Sequence, residues 1–407
     1  MSATLSPPWI EWPQTKRLIE AFVEAKAPMR FVGGSVRDAL LNKPVQDVDA
    51  ATPLKPEAVM ALLKKAGIKA VPTGIDHGTV TAVIDAKHFE ITTLRKDVTT
   101  DGRHAEVAYT DNWEEDAKRR DFTINALYLS PQGELFDYFG GVVDAKAGRV
   151  RFIGNASERI SEDYLRILRF FRFYAWYGKG EPDAVALAAC TALAKHMGGL
   201  SGERIQQEML KLLAAPSSHL TIDFMRESGV LTYIFGFSLR DSGMLARLDA
   251  LHTVEPVPPY LKLLGFIFSS DMPADMALDK ICERMRLSNA MAESLRQAFL
   301  HYDQITPDTN EAGQKKLLRR LGPETFRHAI LTQWAHGNDL IIASHPYASM
   351  LKLAQKWQPP QFPVTGDDLI AIGIKPGKPM GDLLRRLEDK WEESDYKLSK
   401  EQLLKLR

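Results

Sequence analysis

Apolar and polar positions follow two different rhythms along this chain, and the change falls near residue 151. Before it, short runs rich in Val, Ile and Thr read as strands: Met29 to Val32, Thr79 to Asp85, His88 to Leu94 and Phe122 to Ser130. Pro131-Gln132-Gly133 then turns the chain into Glu134 to Phe139. Residues 18–25, Ser35 to Leu41 and a mixed-charge stretch from Trp113 read as helices. Residues 95–112 are polar and keep no sustained period, which predicts a mobile loop. Beyond residue 151 strand signals nearly vanish. Helical periodicity runs to the end with breaks near Gly178–Pro182, Pro216, Pro256–Pro259, Pro307, Pro346 and Pro359–Pro363. The expectation is an α+β head with a small mixed sheet, followed by an all-α remainder.

Composition adds limits. The 407 residues are 45% apolar and 26% charged, enough for real cores in several packing units. Basic and acidic side chains balance at 52 each, so a nucleic-acid partner would have to be held by local patches rather than an overall field. Cys190 and Cys282 stand far apart with no CxxC, which argues against a disulfide framework or zinc site and fits a reducing compartment. The first 17 residues lack the pattern of a secretion signal, and no run approaches the ~20 apolar residues of a membrane span. The expected location is cytoplasmic.

Four stretches carry candidate chemistry. In Phe31-Val32-Gly33-Gly34-Ser35-Val36-Arg37-Asp38, a strand ends in two glycines and opens a helix. Such a turn leaves backbone N–H groups free, lets a phosphate approach, and adds the donor fork of Arg37. Alone, it reads more readily as a tight strand-to-helix turn with an exposed arginine. In Asp47-Val48-Asp49, a strand would put both carboxylates on one side and Val48 in the core. Two converging like charges call for a cation, and an all-oxygen set favours Mg²⁺. A pair of such ions can activate a hydroxyl and stabilise a departing phosphate oxygen. Glu90, on Phe89 to Thr93, is a candidate third carboxylate. The plainer reading is a solvated acidic turn.

In Arg119-Arg120-Asp121-Phe122-Thr123-Ile124-Asn125-Ala126, charges stand directly before a strand and Asn125 lies inside it. An Arg/Asp pair can hydrogen-bond ribose hydroxyls, or be a surface ion pair at a strand edge. In Glu162-Asp163-Tyr164-Leu165-Arg166-Ile167-Leu168-Arg169-Phe170-Phe171-Arg172, helical spacing puts Glu162, Asp163, Arg166 and Arg169 on one arc, with Arg172 at its edge. That arc could be a solvated face with an intrahelical ion pair. It could also select bases. Cytosine and adenine both show an amino donor beside a ring-nitrogen acceptor, whereas guanine and uracil show the reverse, so a carboxylate beside a guanidinium accepts the first two and opposes the others.

The order of these motifs, with Ser201-Gly202-Glu203-Arg204 after them and Thr365-Gly366-x-Asp368-Leu369 in the tail, resembles the bacterial class II CCA-adding enzymes and poly(A) polymerases. The resemblance implies a nucleotidyltransferase head over 1–150, a helical neck for nucleotide selection over 151–215, a body over 216–345 and a tRNA-binding tail over 346–407. It implies that Asp47 and Asp49 bind catalytic Mg²⁺, with Glu90 a weaker transfer. Gly33, Gly34 and Arg37 would contact the triphosphate, and Arg120, Asp121 and Asn125 the ribose side. Asp163 and Arg166 would template the base, with Arg169 and Arg172 lining the nucleotide pocket and Glu203 and Arg204 supporting it. The implied reaction adds CMP, CMP and AMP to the tRNA 3′ end from CTP and ATP. Rival readings are a poly(A) polymerase, a CC-only enzyme and a catalytically silent RNA-binding protein. Lys315-Lys316-Leu317-Leu318-Arg319-Arg320 could meet phosphates but reads more readily as a solvated helix face.

Overall fold

The structure, a computed structural model, describes residues 4–75, 78–101, 104–337 and 346–406. Contacts divide the chain into two compact units, Met1–Ser238 and Leu239–Arg407.

The first unit opens with helix α1 (Pro13–Glu24) and then builds a sheet. Its strands are β1 (Arg30–Val32), β2 (Ala50–Thr52), β3 (Lys69–Gly74), β4 (Thr79–Ile84) and β5 (Lys87–Thr93), with helices α2 (Gly34–Leu40) and α3 (Pro56–Lys65) between them. After β6 (Arg95–Asp101), β7 (His104–Tyr109) and α4 (Trp113–Lys118) come β8 (Leu127–Leu129) and β9 (Leu135–Asp137). Seven strands pair in the order β3-β4-β5-β2-β1-β8-β9. Only β2 and β5 run parallel, so the sheet is mixed, as expected. Alternation on β5 buries Phe89 and Ile91 and turns Glu90 and Thr92 to the other face. The core under the sheet gathers Phe22, Phe31, Val36, Val59, Leu63, Val80, Phe89 and Ile91. Helices follow to the end of this unit: α5 (Gly141–Ala147), α6 (Ala156–Glu162), α7 (Leu165–Tyr177), α8 (Ala184–Leu193), α9 (Gly202–Leu213) and two more as far as Phe235.

Three local expectations fail. The segment expected to be a mobile loop is an antiparallel ribbon, β6 against β7, paired from Arg95↔Tyr109 to Asp101↔His104. Strand β6 is almost wholly polar and shows no two-residue period, and the alternation of Ala105, Val107 and Tyr109 on β7 spans only six residues. The strand expected over Phe122 to Ser130 begins only at Leu127; Thr123–Asn125 forms a 3₁₀ turn. Side chains draw it in, since Asp121 Oδ1 accepts from Phe122 N and Asn125 Nδ2, and Thr123 donates to the buried Asp144. The single helix read from Glu162 onward is two, α6 and α7, parted at Asp163. Asp163 is extended at the C-terminal end of α6, and its carboxylate accepts the Leu165 N–H at 3.1 Å, an Asx-type turn that leads the chain into α7.

The described part of the second unit is helical apart from one isolated bridge, Leu239↔Ser270. Its basic run is partly solvated but tied down by ion pairs. From helix Glu311–Leu321, Lys316, Arg319 and Arg320 all meet the buried Glu392 on helix Lys378–Glu393. Among the described residues, no helix is long and apolar enough to cross a membrane.

Candidate active site

One cavity of about 570 Å³ in the first unit is lined by nearly all the residues singled out above. The β1–α2 turn supplies Gly33, Gly34 and Arg37, the approach to β2 supplies Asp49, and β5 supplies Glu90 and Thr92. The turn after α4 gives Arg119, Arg120 and Asp121, and the 3₁₀ turn gives Asn125. Asp163 enters from the α6–α7 joint, Leu165, Arg166, Arg169, Arg172 and Phe173 from α7, and Arg204 from α9. Seven arginines face four carboxylates, an excess of positive charge inside a chain whose net charge is zero.

At the glycine turn, Gly33 has φ of +73°, a left-handed conformation that only glycine adopts at little cost. Its N–H donates to the Leu127 carbonyl at 3.1 Å, so of the two glycines it is not Gly33 whose amide is left for a ligand. Arg37 is 6% exposed. It donates from Nη2 to the Tyr177 hydroxyl at 2.7 Å and from Nη1 to Asn125 Oδ1, with Asp38 on its Nε.

Asp47, Val48 and Asp49 lie outside any strand, yet Asp47 is exposed, Val48 buried and Asp49 half-buried, so the acids do turn away from the core that takes Val48. They do not share one cavity. Asp49 lines the main one with Glu90, whereas Asp47 lines a separate hollow of about 240 Å³ with Trp12 and Lys87. Among the described residues, no three acidic, histidine or cysteine side chains converge tightly enough to cage a metal. The donor chemistry still fits a hard cation. Burial, then Glu90, then Asp47 push the Asp49 carboxyl up to about 6, a repulsion that a divalent ion on these oxygens relieves.

Asp121 is a hub. Its Oδ1 accepts from Phe122 N at 2.8 Å and Asn125 Nδ2 at 3.0 Å, and its Oδ2 accepts from Arg169 Nε at 2.8 Å. Burial alone would raise this carboxyl; Arg169 and the two amides outweigh it and hold it below the ordinary range. Arg120 is anchored on Asp116 and the Tyr128 hydroxyl, each at 3.2 Å. Asp163 and Arg166 are not paired with each other, against the expectation of an intrahelical neighbour pair. Asp163 Oδ2 takes Arg204 at 2.7 Å, while Arg166 donates to Glu162 and to the Arg159 carbonyl at 2.6 Å. Each therefore reaches the cavity from its own anchor. Arg172 pairs with the buried Glu208 and lies 4.0 Å over the Phe173 ring.

Sequence reasoning missed Arg119, Thr92, Leu165 and Phe173 as lining residues, and Tyr177 as a partner of Arg37. Of the aromatics along 170–177, Phe170, Phe171, Phe173 and Tyr174 are buried, Phe173 lining the cavity from within that core, while Tyr177 is half-buried and holds Arg37. The spacing of Phe173 and Tyr177 from Arg166 and Arg169 on one helix was the available signal.

The model of the poly A polymerase head domain matches residues 29–151, and that of a probable RNA and SrmB-binding site of polymerase A matches 181–237. The human mitochondrial CCA tRNA nucleotidyltransferase 1 is 37% identical, covering 96% of this chain and 88% of its own length. A CCA-adding enzyme of Lactobacillus delbrueckii subsp. bulgaricus is 31% identical over 92% of this chain and 91% of its own. The crystal structure of the Bacillus stearothermophilus CCA-adding enzyme in complex with CTP superposes with a TM-score of 0.76 at 24% identity, covering 94% of each chain. The Thermotoga maritima CCA-adding enzyme complexed with tRNA gives 0.66 at 21% identity, over 96% of this chain and 93% of that one.

Proposed function

This chain belongs to the family of CCA-adding tRNA nucleotidyltransferases, and we propose from that premise how its own residues carry the reaction. The enzyme adds CMP, CMP and AMP to the 3′ end of tRNA. The terminal 3′ oxygen forms a bond to the α-phosphorus of CTP, twice, and then of ATP, while the bond to the leaving pyrophosphate breaks. The observation that carries the assignment of residues is the single cavity in which the glycine turn, Asp49, the Arg120-Asp121 turn and the α6–α7 joint meet.

Arg37 and Arg172, with the Gly34 turn, hold the triphosphate. Arg120, Asp121 and Asn125 orient the ribose. Asp163 accepts the amino donor of cytosine or adenine and Arg166 donates to the ring nitrogen beside it, which opposes uracil and guanine. Asp49, with Glu90 lining the same cavity and Asp47 two residues before it, would hold Mg²⁺. Bound there, the metal supplies activation of the attacking hydroxyl and stabilisation of the departing oxygen.

Within the family we place the chain with the class II enzymes, in the cytoplasm. We divide it into a head over 1–150, a neck over 151–215, a body over 216–345 and a tRNA-binding tail over 346–407. Incubating tRNA that lacks its terminal CCA with labelled CTP and ATP and Mg²⁺ tests the reading. A product three nucleotides longer supports it. Two added cytidines, a long adenosine tract or no extension would each replace it with a different activity.

A further inference from the structure

Arg159 lies in helix α6, outside every motif stretch considered above, and is 9% exposed. Its Nη2 donates to the carbonyl oxygens of Arg119 and of Arg120, the latter at 3.0 Å, and its Nη1 pairs with Glu162. Its own carbonyl accepts from Arg166 Nη1 at 2.6 Å, and that same nitrogen also reaches Glu162. The bonds close a ring. Arg159 grips the turn that ends in Asp121, Asp121 grips Arg169 on α7, and α7 carries Arg166 back to the Arg159 carbonyl.

We propose that Arg159 is a positioning residue for base selection, bracing the Arg166 guanidinium and the Arg120-Asp121 turn as one body. The inference rests on the reading that Arg166 faces the base. A long arginine side chain has many rotamers to lose, and reading a donor–acceptor pattern needs placement within about 0.5 Å. Arg166 gains that placement from two acceptors on one nitrogen, one of them the backbone of Arg159. Because Glu162 is shared between two guanidiniums, it fixes Arg166 without neutralising it one to one. The remaining N–H edge keeps its charge and its direction.

The test uses the full chain and kcat/KM for CTP against UTP on tRNA lacking its CCA end, and for ATP against GTP on tRNA ending in CC. Arg159→Met should lower both ratios about tenfold, the effect of loosening a hydrogen-bonded charge, with Arg159→Lys in between. A merely structural role would depress all four nucleotides alike and leave the ratios where they were, which would overturn the proposal. Arg166→Ala is measured in parallel. If it lowers the ratios while Arg159→Met does not, Arg159 is excluded and base selection by Arg166 stands. If Arg166→Ala changes nothing, the selection reading itself has failed and takes this inference with it. Should Arg159→Met lose its cooperative melt, Glu162→Gln carries the test through the shared acceptor. A fall in both ratios supports the brace, and unchanged ratios overturn it.

Discussion

Asp49 and Asp116 put two opposite electrostatic designs within one site. Asp49 is held where its charge is unwelcome until a cation arrives, and Asp116 where its charge is indispensable. Asp49→Asn should therefore reduce nucleotide addition by roughly a thousandfold or more, a loss of several kcal/mol of transition-state stabilisation, while the melting temperature is maintained. Single-turnover incorporation and a thermal melt measure both, and residual turnover within tenfold of the parent would remove Asp49 from the metal site. For Asp116, burial pushes the carboxyl up, but Arg120, Arg119 and the Tyr128 hydroxyl together bring it down to about 2, from 3.8 in the unfolded chain. A folded-state value below the unfolded one gives stability that is fully present above the unfolded value. It is lost as pH falls through the range between the two, and is worth about 2 kcal/mol. Urea midpoints taken from pH 5 down to 2 should fall more steeply for the parent than for Asp116→Asn. The variant should also be about 3 kcal/mol less stable at neutral pH, since it strands Arg119 and Arg120 beside a neutral amide. Parallel curves would show that this carboxyl does not anchor the turn.

At the scale of elements, what the sequence made legible depended on whether a segment had one buried face. Strands β4 and β5 and helix α7 each bury one side, so their periods announce them. In the ribbon, β6 is almost wholly polar and β7 alternates over only six residues, and β2, three residues buried on both sides, is too short to show any rhythm. The two remaining misreadings lie in the site, at the Thr123–Asn125 turn and the break at Asp163. In both, a short acidic side chain bonds to nearby main chain and overrides the local propensity. Motif order told which residues would meet, but not which would anchor which. The division of Asp163 and Arg166 between separate partners is a tertiary fact. One close approach fixes the 3₁₀ turn against α5. A Cβ on Gly141 would stand 2.2 Å from the Thr123 carbonyl oxygen. Gly141→Ala should cost about 2 kcal/mol by overpacking and, by shifting Asn125, weaken the hold on Arg37. A lower melting temperature together with a raised KM for both CTP and ATP is the expected pair of results; a melt within half a degree of the parent would mean that the turn yields freely.

Over the whole molecule, equal numbers of basic and acidic residues coexist with a strongly cationic cavity, so charge here is sorted by position instead of being in surplus. Every residue of that cavity lies in the unit Met1–Ser238. CTP at 100 times its dissociation constant should stabilise the bound state by about 2.7 kcal/mol. Amide hydrogen exchange should register the added protection in residues 1–238, strongest along α7 and the turn after α4. Protection arising first beyond residue 239 would point to a different binding site. The cavity's cations are also already occupied: Arg37 by a tyrosine and an amide, Arg169 by Asp121, Arg172 by Glu208, Arg204 by Asp163. An incoming triphosphate must trade places with internal partners, so much of what it gains is offset by what it displaces. Recognition by substitution in this way keeps the pocket sharply shaped yet loosely adhesive, a balance suited to a catalyst that must let go of pyrophosphate three times on one RNA.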